Sequence, residues 1–149
     1  MRLVAGFLLM LLASCQAQAG AWGHGAFEND AAMDWVDELT QSKHASVLLQ
    51  SFNNVVRSHY VELDYCGQAI ASAEVIAAFK TGDFQTLPAE LSAWARAHNA
   101  EYEPEMAKLA FAAVAKCQQV QQSEIAQLWH EADASGWLLS LAELQKKLQ

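Results

Sequence analysis

From residue 29 onward, apolar positions recur at the spacing of a helix. Ala32, Trp35, Val36 and Leu39 fall at i, i+3, i+4 and i+7 and predict a first helix, with Asn29 as its N-cap. A second stripe begins after Ser42, with Leu48, Phe52, Val55, Val56 and His59, and runs to about Tyr60. A third helix, capped by Asp64, runs to a C-terminal glycine at Gly82. Its Ala69–Phe79 stretch is apolar almost all round, which predicts a central buried helix. Pro88 marks the first position of a fourth helix carrying Leu91, Trp94 and Ala95. Pro104 opens a fifth, with Met106, Leu109, Ala110, Ala113, Val114, Cys117 and Val120 inward. Ser123 caps a sixth, with Ile125, Leu128, Trp129 and Ala132. Ser135-Gly136 breaks the pattern, and a last helix runs from Trp137 through Leu138, Leu141, Ala142 and Leu148, with Lys146 and Lys147 in its final turn. No alternating apolar–polar run of strand length stands out. The fold class expected is all-α, a compact bundle of six or seven short helices.

The N-terminus follows a different rule. Arg2 precedes an apolar run from Leu3 to Leu12, too short to span a bilayer as a helix and built like a signal peptide. Leu12-Ala13-Ser14-Cys15 reads as a lipobox: residues 1–14 are then cleaved, and the Cys15 thiol is acylated and becomes the mature N-terminus. Residues 15–19 form a short tether and residues 20–149 a single helical domain. The alternative is a simple secretory cut after Ala17-Gln18-Ala19, with a signal over residues 1–19. A buried helix of a cytosolic protein is the third reading, and ten apolar residues behind a lone arginine are poorly built for it. The expected location is the periplasmic face of a bacterial-type envelope, lipid-anchored, with soluble periplasmic or secreted protein as the alternative.

Composition narrows the function classes. The chain has 149 residues, enough for one domain with a real core, and 53% of them are hydrophobic, which excludes general disorder. Net charge is −8, and removal of Arg2 with the leader makes it more negative still. Such a chain repels phosphate backbones, so nucleic acid is not an expected partner; the expected partners are the membrane, through the lipid, and a basic protein. With Cys15 lipidated, Cys66 and Cys117 remain. In an oxidising compartment they are expected to pair, since one opens a helix, the other sits late in another, and antiparallel neighbours bring those ends together. The alternative is two buried free thiols.

Candidate chemistry concentrates in the opening cluster. Gly23 and Gly25 allow tight turns, Trp22 and Phe27 can fold back on the bundle, Asn29 caps, and Asp30 complements the helix dipole. That reading is structural. The functional one takes Trp22, His24, Glu28, Asp30, Asp34 and Asp37 as a surface for a basic partner. A metal-dependent enzyme using His24, Glu28 and Asp30 is the alternative, although the spacing matches no established metal motif, and no metal or other cofactor is expected. His130-Glu131 lacks the second histidine of a metalloprotease helix, His59 reads as a core or boundary residue, and His44 and His98 read as surface. No nucleophile elbow, Cys-x-x-Cys pair or phosphate loop is present, so no catalytic residues are nominated.

The run from Gly20-Ala21-Trp22-Gly23-His24-Gly25-Ala26-Phe27-Glu28-Asn29-Asp30 to Asp34-Trp35 resembles the opening of a bacterial family known as the domain of unknown function DUF4259. Its members share a Gly-x-Trp-Gly-x-Gly-x-Phe pattern, followed by an acidic residue, Asn-Asp, and later an Asp-aromatic pair. The likeness continues through the alanine-rich segment from Ala69 to Gly82, Ser123-Glu124-Ile125-Ala126-Gln127-Leu128-Trp129 and the Trp137 helix, and so covers residues 20 to 148. It implies a helical fold and no activity. The hydrophobic leader is a departure from many members, which begin near the motif. The function expected is therefore an envelope lipoprotein with a non-enzymatic binding or interaction domain, with an immunity or inhibitor-type protein as a further alternative.

Overall fold

A computed structural model describes residues 23–149. Seven α-helices follow one another: α1 (Asp30–Gln41), α2 (Val47–Arg57), α3 (Leu63–Thr81), α4 (Ala89–His98), α5 (Pro104–Cys117), α6 (Glu124–Glu131) and α7 (Ser135–Leu148), with a 3₁₀ turn at Asn99–Glu101 after α4. Among the described residues there is no strand; Val61 and Ser123 form an isolated parallel bridge. No helix among them is long and apolar enough to cross a membrane. The all-α architecture agrees with the sequence pattern.

The bundle is organised around α3. Cys66, Ala69, Ile70, Ala71, Ser72, Ala73, Val75, Ile76, Ala77, Ala78 and Phe79 are all buried, so the helix is covered on every side, by α1, α2, α4, α5, α6 and α7. Small alanines let neighbours approach closely, and Ile70, Val75, Ile76 and Phe79 fill the remaining space. Gly82 closes α3 in the left-handed conformation, its N–H donating to the Ala78 carbonyl.

Two long-range devices fix α3 to its surroundings. Near its start, Cys66 and Cys117 form a disulfide that ties α3 to the end of α5, with Cα atoms 5.8 Å apart and both cysteines fully buried. Midway, the Trp35 indole N–H of α1 donates to Ser72 Oγ at 2.7 Å inside the core. Ser72 thus supplies an acceptor that an indole buried on α1 requires.

Several boundaries differ from the sequence pattern, each through tertiary contact. α2 starts at Val47, not just after Ser42, because the preceding loop is held elsewhere: the Trp94 indole donates to Ser42 O and Glu101 Oε2 accepts from Ala45 N–H. α3 begins at Leu63 with Glu62, not Asp64, as its cap residue, since Glu124 Oε2 accepts from Leu63 N–H. Pro88 is the N-cap of α4 and not its first turn. Ser123 occupies the N-cap position of α6, yet its buried hydroxyl faces Cys66 Sγ at 3.5 Å and makes no capping bond. His59 lies beyond the end of α2 and is exposed; it is not a core residue. Leu128 and Ala142 are exposed too, because α6 buries only Ile125 and Ala126, and α7 turns Trp137, Leu141, Leu144 and Leu148 inward.

Candidate functional site

The opening motif forms a loop, residues 23–29, laid against the corner between α6 and α7. Asn29 does what its position predicts: Oδ1 accepts from Ala32 N–H at 2.8 Å, and its amide donates to Ala26 O. Glu28 folds back over the loop, and Oε2 accepts from Gly25 N–H at 2.7 Å. A Cβ on Gly23 would stand 2.2 Å from that carboxylate and one on Gly25 2.9 Å from it, so the two glycines exist where the glutamate needs room.

His24 turns onto the other elements. Its ring lies 4.9 Å from that of Trp129 in α6, and Trp129 in turn stacks with Trp137 of α7 at 6.2 Å. The His24 carbonyl accepts from Ser140 Oγ at 2.9 Å. The imidazole sits where a side chain of residue 136 would be: a Cβ on Gly136 would come within 2.5 Å of Nδ1. This explains why a glycine stands inside the first turn of α7, where the sequence pattern reads a break. Asp133, before that turn, accepts from both Ser135 Oγ and Ser135 N–H. The hydroxyl bond, then the backbone bond and the facing His24, hold its carboxyl below the ordinary aspartate range.

Little space remains at this corner. The cleft bounded by Gly23, His24, Asn29, Ile70, Trp129 and Trp137 has a volume of about 10 Å³, that of a single water. The motif is therefore a plug that staples the N-terminal loop to α6 and α7.

The residues nominated from the sequence separate into groups. Cys15 and Trp22 lie outside the described residues. His24 belongs to the aromatic corner, and Glu28 is engaged by its own loop. Among the described residues no three His, Cys, Asp or Glu side chains come close enough to share a metal ion. Asp30, Asp34 and Asp37 share the exposed face of α1 with Glu38, and no ion pair among the described residues involves them. Cys66 and Cys117 are joined.

Sequence reasoning missed Glu74. It is the one charged residue in the apolar Ala69–Phe79 run, and that isolation was the signal available. Its side chain is only 17% exposed and lies 3.8 Å from Lys147 Nζ. Burial raises its pKa above 4.5, an effect that outweighs the opposing pull of Lys147.

Comparison with known proteins gives one match: the family described as Domain of unknown function (DUF4259) covers residues 20–139 of this chain. No curated protein and no solved structure matches it.

Proposed function

The chain belongs to the DUF4259 family, and on that premise we propose that this member is an exported helical domain, tethered to the cell envelope through Cys15, that binds a basic protein partner without catalysis. The observation that carries the location is the Cys66–Cys117 disulfide. Structural disulfides form and persist in oxidising compartments, and a fully buried one beside the central helix is a structural one. The leader and Cys15 give the route and the anchor, two or more acyl chains being what stable membrane attachment needs. The face offered to a partner is that of Asp30, Asp34, Asp37 and Glu38 on α1, with Glu28 beside its start. One turn separates Asp30 from Asp34, so these carboxylates form a single stripe. It is solvated, and a cationic surface complements it.

The test is charge reversal. Asp34→Lys with Asp37→Lys is expected to abolish retention of an envelope partner by the purified domain while leaving the circular dichroism spectrum and melting curve in place. Retention that survives the double reversal overturns the acidic-face reading.

A further inference from the structure

The described residues begin at Gly23, and the next residue, His24, is tied to α7 through its carbonyl, which accepts from Ser140 Oγ at 2.9 Å. The N-terminal segment therefore meets the domain beside the first half of α7. Next to Ser140, Leu139 is 64% exposed, the most exposed large hydrophobic side chain among the described residues. Leu139, Ala142 and Lys146 follow one another at i, i+3 and i+7 and are all exposed. They form one outer strip of α7, away from the inward Trp137, Leu141, Leu144 and Leu148. The other charges of α7 lean elsewhere: Lys147 lies 3.8 Å from Glu74 of α3, and Glu143 acts on the same carboxylate. Asp133, ahead of the strip, is bound to Ser135. The strip thus has an apolar start and an ammonium at its end.

With the anchor at Cys15, as proposed above, eight residues separate the lipid from Gly23, and they reach about 28 Å at full extension. A domain of this size has a radius of gyration of about 14 Å, hence a diameter of about 36 Å and a half-circumference of about 56 Å. Such a tether cannot wrap to the far pole, so only surface near its attachment reaches the bilayer. Two helices offer that surface: α1, which starts at the end of the opening loop, and α7, against which the loop lies.

Charge decides between them. α1 exposes Asp30, Asp34, Asp37 and Glu38, which an anionic bilayer repels. α7 exposes a leucine that suits the headgroup boundary and a lysine whose stem can follow apolar surface while its ammonium meets phosphate. The two helices also pack differently, α1 on α3 and α4, α7 on α3 and α5. We propose that the outer strip of α7, Leu139, Ala142 and Lys146, is seated on an anionic bilayer surface, leaving the acidic face of α1 free for its basic partner. The inference rests on the lipid anchor. So small a contact suffices because a short tether holds the domain at an effective concentration on the order of millimolar.

Native lysines report the orientation. Lys43, after α1, and Lys108, on α5, are exposed and lie off the strip. The protein purified from membranes is acetylated at lysine, first in zwitterionic detergent and then in vesicles of phosphatidylcholine with phosphatidylglycerol, and the rates are read by mass spectrometry. On vesicles, Lys146 is expected to slow at least about twofold relative to Lys43 and Lys108. Leu139→Ser is expected to remove that protection without moving the melting curve, since its side chain is exposed. The protection is also expected to weaken in vesicles of phosphatidylcholine alone. Unchanged relative rates overturn the proposal, and so does protection of Lys43 in place of Lys146, or protection that survives Leu139→Ser. The mass of the same sample separates the two failures. A chain without acyl groups overturns the anchor and the orientation together, whereas an acylated chain with a reactive Lys146 overturns the orientation alone.

Discussion

Helices α1 and α3 lie against each other and handle charge in opposite ways. α1 buries Ala32, Trp35, Val36 and Leu39 and turns Asp30, Asp34, Asp37 and Glu38 to solvent, where each carboxylate keeps its water. α3 has no solvent face along most of its length, and its one internal charge, Glu74, is drawn into the bundle edge at a cost in solvation. Charges on the first helix are cheap to keep and cheap to change; the charge on the second persists against its own desolvation. The lesson is that number of charges does not locate the demanding site.

The largest effect expected on either helix is loss of the disulfide that fixes the start of α3. Cys117→Ser closes off a crosslink spanning 51 residues and is expected to lower unfolding free energy by about 4 kcal/mol, read by urea denaturation. A loss below about 1 kcal/mol would mean that packing alone holds α3 in place. Next comes the bond joining the two helices. Ser72→Ala leaves the buried Trp35 indole without its acceptor, at a cost of about 1–3 kcal/mol in the same assay. An unchanged midpoint would separate the two helices energetically. The smallest effect has the opposite sign. The folded state favours protonated Glu74, so stability falls as pH rises from the ordinary value of 4.5 through the raised one. Glu74→Gln escapes that loss. Its melting temperature is expected to match the parent in acid and to exceed it at pH 7. A gain of equal size at every pH would attribute the effect to packing and not to charge.

The bundle was legible because it rests on periodicity. The stripes of α1 and α5 and the all-round apolar α3 follow from spacing alone, and Gly82 and Asn29 mark ends by local chemistry. The Cys66–Cys117 pairing followed from placing both cysteines at adjacent helix ends. What escaped was decided across the chain. The true start of α7 depends on His24 filling the space beside Gly136, more than a hundred residues away. The start of α3 depends on Glu124, and the hydroxyl of Ser123 was claimed by Cys66 instead of a cap. His24 and Glu28, read as members of one polar surface, are held by different neighbours. Glu74 went unnoticed because a lone glutamate in a helix is ordinary until its burial is known.

The account as a whole requires that the chain crosses to an oxidising compartment and stays attached there. Intact-mass measurement of the protein extracted from membranes, before and after reduction, addresses this directly. The prediction is an acylated chain beginning at Cys15 that gains two hydrogens when its disulfide is reduced. A chain that still carries Met1, or one whose mass does not change on reduction, would contradict it.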